Sequence, residues 1–181
     1  TGIPIVNVNN NCSTGSTALF LGRQAIESGA VDCVLVLGFE QMNPGAIGNV
    51  FTDRPSPFED FDREAAALVG MPELPLALRY FGGAGQSHMQ KYGTPLEAFA
   101  QVRAKASRHA ARNPLALLRK ELTVDDVMNA PMLWPGVLTR LMACPPTCGA
   151  AAAVLVSGAF AKRHGLRTDV FIAGQAMTTD Q

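Results

Sequence analysis

"NVNNNCSTGSTALFLG", residues 7–22, runs a β-branched stretch into three asparagines, places one cysteine, and then opens a helix. The preceding "IPIVNVN" (3–9) is short and rich in β-branched residues, which predicts a strand. In "STGSTALFLGRQAIESG", Ala18, Leu21, Ala25 and Ile26 stand at helical spacing, with Ser13 or Thr14 as N-cap and Gly29 as the stop. "DCVLVLGFE" (32–40) predicts a second strand, apolar enough to be buried on both faces. Strand, helix, strand is a βαβ unit, which calls for parallel strands and a right-handed crossover.

Outward from this unit the character changes. Residues 43–63 carry Pro44, Pro55, Pro57 and a cluster of acids, and read as a long surface excursion. A helix is predicted around 84–92. A second, "TPLEAFAQVRAKASRHAARNP" (94–114), has Thr94 as N-cap, Pro95 in the first turn and a stop at Asn113-Pro114. "TVDDVMNAP" is a short helix with a threonine cap and acids in its first turn. The α/β rhythm then resumes with a strand over 149–157, a helix in "GAFAKRHGL" closed by Gly165, and a strand in "DVFIAGQAM". The fold class is therefore α/β, with a largely helical insertion between two α/β segments.

The 181 residues are long enough for a sizeable core. Lys+Arg and Asp+Glu are equal at 15 each, so no global charge draws the chain to nucleic acid. The longest uncharged apolar run, 149–160, is too short to span a bilayer, so no membrane insertion is expected. No basic-then-apolar leader is visible, and no secretory signal is expected. Cys33, inside "VDCVLVLGF", reads as a small buried hydrophobe, and all four cysteines as free thiols of a reducing compartment.

Cys12 admits three readings. A helix N-terminus presents unpaired N–H groups and the positive end of the helix dipole. A thiolate there is stabilised, and the same donors can hold the oxyanion formed when it attacks a thioester carbonyl. Gly15 and the small Ser13, Thr14 and Ser16 keep the approach open, so a covalent acyl-enzyme site is one reading. The second is a packing cysteine. The third is a phosphate cradle, which "CSTGST" supports poorly because it lacks the lysine and spacing of a P-loop.

The motifs in order, "NNNCSTGSTAL", "GAVDCVLVLGFEQM", "FGGAGQSHMQKYG", "RHAARNP", "LTVDDVM" and "CPPTCGAAAAVLVSGAF", resemble the thiolase family, in its sterol carrier protein-x and lipid-transfer branch. The resemblance implies a partial thiolase-like fold. Residues 1–42 would be the end of the N-terminal half with the nucleophile, 43–140 a helical loop domain covering the coenzyme A site, and 141–181 the start of the C-terminal half. It implies that Cys12 is the acylated nucleophile, that coenzyme A and acyl-CoA are substrates with no bound cofactor, and that the chain forms a homodimer or homotetramer. That association would run through the nucleophile-bearing half, with "IPIVNVN" pairing with its copy. It also implies an activating histidine and a second catalytic cysteine in a later half. Neither has a counterpart here, so the chain is expected to be an internal fragment, inactive alone. The aldolases of steroid side-chain degradation, which share this fold, and non-catalytic acyl-CoA or lipid binding remain the alternatives. The Ala/Arg-rich composition suggests a bacterial cytosol, and the resemblance also admits a peroxisomal matrix.

Residues 98–120 hold Arg103, Lys105, Arg108, Arg112, Arg119 and Lys120 with no acid among them. Lys105, Arg108 and Arg112 share a helical face. In a thiolase-like loop domain that face could meet the phosphates of coenzyme A; the plain alternative is a solvated face opposite a Phe99, Val102, Ala106 stripe. His88 and His109 read as surface or capping residues, and His164 as a partner of its helix dipole. Cys148 replaces the aspartate expected before the Gly-Ala run and reads as structural. Cys144 and Cys148 lack histidine partners for a metal. Met89, Met128, Met132 and Met142 could line an acyl channel or fill core gaps, and Trp134 could pack under the loop domain or beside an acyl chain.

Overall fold

The computed structural model describes residues 2–45, 51–70 and 72–178. Its elements are α1 (Thr14–Glu27), β1 (Cys33–Glu40), α2 (Glu59–Val69), α3 (Leu76–Tyr92), α4 (Leu96–Ala111), α5 (Val124–Met128), β2 (Met132–Trp134), β3 (Leu138–Thr139), β4 (Gly149–Val156) and α6 (Gly158–His164). They fall into two compact units: Thr1–Gln41 with Cys148–Gln181, and Met42–Thr147.

In the first unit β1 pairs with β4 from Cys33↔Val156 to Glu40↔Gly149. This pairing is antiparallel, and the parallel βαβ unit predicted between 3–9 and 32–40 does not form among the described residues. Residues 3–9 carry no strand, since Ile3, Ile5 and Val6 are exposed and no described strand offers them a ladder. The 169–177 segment likewise carries none, and Val170 and Phe171 lie open to solvent. The helix α1 packs on the sheet face that bears Val34, Val36 and Leu155. Gly22 makes that approach possible, because a Cβ there would stand 3.1 Å from Val36 Cγ2 and 3.3 Å from Leu155 Cδ1. Register puts Leu35, Leu37, Phe39 and Val154 on the opposite face, where Leu35 is 62% and Phe39 76% exposed. So among the described residues β1 is covered on one face only, and the expected burial on both faces is not found there. Cys33 lies on that open face and is exposed, which corrects its reading as a buried hydrophobe.

The β4–α6 junction is fixed by the residue just before β1, Asp32. The Ser157 hydroxyl accepts from Phe160 N–H at 3.1 Å, capping α6, and donates to Asp32 Oδ1 at 2.8 Å. Ser157 N–H donates to the Asp32 carbonyl at 2.9 Å. The Ser157 hydroxyl, and then the Arg163 guanidinium, hold the Asp32 carboxyl below its ordinary range. Gly165 closes α6 in the left-handed conformation that glycine adopts without a Cβ clash.

In the second unit, residues 46–50 of the excursion expected over 43–63 lie outside the described residues, and the last part is helical, since α2 begins at Glu59. Its first turn carries Glu59, Asp60 and Asp62, the sign of charge a helix N-terminus favours. The helix expected near 84–92 begins eight residues earlier, after Pro75. Its Gly82 and Gly83 let Trp134 and Val69 press against the backbone: a Cβ on Gly82 would lie 2.6 Å from Trp134 Cε3, and one on Gly83 2.8 Å from Val69 Cγ2. Trp134, Val137 and Leu138 form the buried centre, with Val69, Leu74, Leu78, Met89, Leu133 and Met142 packed around them. Trp134, Met89 and Met142 are thus core residues.

The buried stripe of α4 is Ala100, Ala104 and Ser107, replacing the predicted Phe99, Val102, Ala106 stripe; Val102 is 61% exposed. Small side chains win because α4 lies close against α5, and the Ser107 hydroxyl must reach Leu122 N–H at 2.9 Å. Pro95 is the N-cap of α4, and Thr94 instead pairs its hydroxyl with His88 Nε2 at 3.0 Å. The cap of α5 is as predicted, with Thr123 and Asp126 forming a reciprocal capping box.

Candidate functional site

Cys12 stands in the turn that enters α1. Ser13 N–H donates to the Asn10 carbonyl at 3.0 Å, which closes a reverse turn with Asn11 and Cys12 at its centre. Asn11 takes φ +47°, the left-handed region that asparagine tolerates better than most L-residues. Cys12 is exposed and free.

A web of short hydrogen bonds holds the turn to the helix. Asn10 N–H donates to Thr14 Oγ1 at 2.8 Å, and that hydroxyl donates to the Asn11 carbonyl at 2.7 Å. The Ser13 hydroxyl donates to the Asn10 carbonyl at 2.9 Å. Asn10 Nδ2 donates to Thr17 Oγ1 at 3.0 Å, one turn into α1. Ser13 occupies the N-cap but makes no side-chain cap. Thr14 N–H donates to the Asn11 carbonyl at 3.2 Å, so the donor capacity intrinsic to a helix start falls to the N–H groups that follow it. Chemically, this turn offers an accessible thiol beside a helix N-terminus with small neighbours.

Lys105, Arg108 and Arg112 are all exposed on α4 or its C-cap, so the cationic face exists as the spacing predicts. Arg103 is withdrawn from it, since its Nε donates to the Leu141 carbonyl at 2.9 Å. Arg119 turns back to the Ala111 carbonyl at 3.3 Å. Cys12 belongs to the first unit and these cations to the second. His88 sits among Tyr92 and Phe99, with ring centroids 4.8 and 6.2 Å away, and His164 stacks on Phe160 at 4.3 Å in the last turn of α6. Among the described residues no group of three or more His, Cys, Asp or Glu could hold a metal.

A strongly displaced phenol belongs to the second unit. Burial, and then the Asp62 carboxylate that accepts its hydroxyl at 2.8 Å, push the Tyr80 phenol up to about 12. Phe61 and Phe58 edge onto the same ring at 4.8 and 6.4 Å, so this cluster joins α2 to α3.

The asparagines themselves carry no predicted role. Their signal was available, because asparagine before a helix bonds locally to backbone and hydroxyl groups.

Residues 1–122 match the thiolase N-terminal domain. The chain is 47% identical to sterol carrier protein 2 of Oryctolagus cuniculus over 99% of this chain and 33% of that protein. It is 31% identical to an acetyl-CoA acetyltransferase of Methanothermobacter thermautotrophicus, over 99% of this chain and 44% of that one. A solved structure, the Ltp2-ChsH2(DUF35) aldolase, superposes with a TM-score of 0.60 at 22% identity, covering 83% of this chain and 36% of that one. It shares the fold. The chain thus spans about a third of the length of the sterol carrier protein 2 relative. No helix among the described residues is long and apolar enough to cross a membrane.

Proposed function

The chain belongs to the thiolase family, and on that premise we propose that it carries the nucleophile of an acyl-CoA C-acyltransferase of lipid or sterol side-chain metabolism. The supporting observation is the exposed Cys12 in a hydrogen-bonded turn at the start of α1, within the matched domain. The Cys12 thiolate attacks the ketone carbon of a 3-oxoacyl-CoA, and the helix N–H groups stabilise the tetrahedral oxyanion. Collapse breaks the bond between the former ketone carbon and its neighbour. The departing carbanion takes a proton and leaves as acetyl-CoA or propanoyl-CoA. The thiolate of free coenzyme A then displaces Cys12 from the thioester. The base for the two thiols and the acid for the carbanion fall to groups outside these residues.

Lys105, Arg108 and Arg112 supply phosphate donors for coenzyme A in the same proposal, the two arginines through planar forks suited to phosphate oxygens. Coenzyme A and acyl-CoA enter as substrates, and the working form is a homodimer or homotetramer. A second reading, non-catalytic binding of lipid or acyl-CoA, is supported by the name of the sterol carrier protein 2 relative.

The test is cleavage of 3-oxoacyl-CoA by coenzyme A with the full-length polypeptide. Turnover abolished by Cys12→Ala is expected. Binding that survives Cys12→Ser without any turnover would establish the second reading. Retro-aldol turnover that survives Cys12→Ala would place the chain with the aldolases.

A further inference from the structure

Asn10 is bound to the nucleophile turn on three sides: its N–H reaches Thr14 Oγ1 at 2.8 Å, its carbonyl receives both Ser13 N–H at 3.0 Å and Ser13 Oγ at 2.9 Å, and its side-chain amide reaches Thr17 Oγ1 at 3.0 Å. Of these, the Asn10–Thr17 bond alone is made by two side chains and spans seven residues, from the segment before the turn to the second turn of α1. It crosses over Asn11, whose φ of +47° is the only positive value at a non-glycine position among the described residues. A turn held in a sparsely populated conformation needs surrounding bonds to fix it. The backbone bonds close the turn, and the Asn10–Thr17 bond sets where that closed turn sits against the helix that supplies the oxyanion donors.

We propose that Asn10 and Thr17 form the positioning pair for Cys12, holding its thiol in register with the N–H groups of α1. The pair touches neither substrate nor reacting atom and acts through the geometry of the turn. The inference rests on the reading of Cys12 as the acylated nucleophile. Thr17 is a better probe than Asn10, because valine replaces it with the same shape and serine keeps its hydroxyl.

The experiment uses the full-length polypeptide and acetyl-CoA, and follows acylation at Cys12 by peptide mass spectrometry. In parallel it follows the pH profile of Cys12 alkylation by iodoacetamide, with the exposed Cys33 as internal reference. Asn10→Ala and Thr17→Val should each slow acylation roughly 10-fold with the acyl-CoA KM unchanged, since misplacement of a reacting group acts on the chemical step. The double variant should be no slower than either single one, because both remove the same bond. Thr17→Ser should return the rate to within about two-fold of wild type, which general damage to α1 would not allow. The Cys12 alkylation profile should move relative to that of Cys33. Normal acylation in Thr17→Val, or additive losses in the double variant, would overturn the positioning pair while leaving Cys12 as nucleophile. Absence of acylation in the wild type would overturn the Cys12 reading, and the pair with it.

Discussion

Gly82→Ala should destabilise the second unit even though alanine is the better helix former. A Cβ at residue 82 would sit 2.6 Å from Trp134 Cε3 and 2.9 Å from Cζ3, with Val137 Cγ1 at 3.7 Å. Ordinary carbon contacts lie near 3.5–4.0 Å, so ring and helix must part by about 1 Å. Trp134 is only 9% exposed and is wedged among Val69, Leu74, Leu78 and Met89, so it has little room to yield. Overpacking of this kind costs roughly 1–3 kcal/mol, against a gain of about 0.8–1.0 kcal/mol for replacing glycine in a helix. The net loss is about 1 kcal/mol, worth roughly 4–8 °C in Tm for a unit of this size. Trp134 is the sole tryptophan, so its fluorescence through a urea or thermal transition reports this unit directly. Gly85→Ala is the matched control: it lies in the same helix, nothing stands within 4 Å of its Cβ, and it should stabilise by up to about 1 kcal/mol. A Gly82→Ala protein as stable as Gly85→Ala would refute the close packing of α3 on Trp134.

Three other outcomes follow from named contacts. The Tyr80 phenol is raised from 10.0 to about 12, so between those values the unfolded chain has lost a proton that the folded one retains. Stability should therefore fall as pH rises through that window, and Tyr80→Phe should flatten the dependence of the urea midpoint on pH. Thr123→Ala removes the hydroxyl that accepts Asp126 N–H at 3.0 Å and should cost about 1 kcal/mol in the same fluorescence assay. Replacing Lys105, Arg108 and Arg112 together by alanine should raise the KM for coenzyme A roughly 10-fold with kcat unchanged, and added salt should narrow the gap to wild type. An unchanged KM would make this a solvated helix face.

The local signals in the sequence were reliable where one segment held the whole cause. The extent of α1, the Thr123 cap and the Gly165 stop all follow from residues within a few positions of each other. Strand status was less legible, because 3–9 and 169–177 have strand composition but no partner among the described residues. Pairing is a property of two segments, and β1 found its partner more than a hundred residues away and antiparallel. The α4 stripe was misjudged for a related reason: hydrophobicity favours Phe99 and Val102, whereas the closeness of α5 selects Ala100, Ala104 and Ser107. At the candidate site the cysteine and its helix were legible from type and order. The hydrogen bonds of Asn10, by contrast, depend on the turn geometry that Asn11 adopts.

The most direct measurement is the intact mass of the full-length polypeptide after incubation with acyl-CoA and rapid quenching. The account predicts one acyl adduct per chain, located on Cys12 by peptide mapping and absent from Cys12→Ala. An unmodified Cys12, or an adduct that persists in Cys12→Ala, would contradict it.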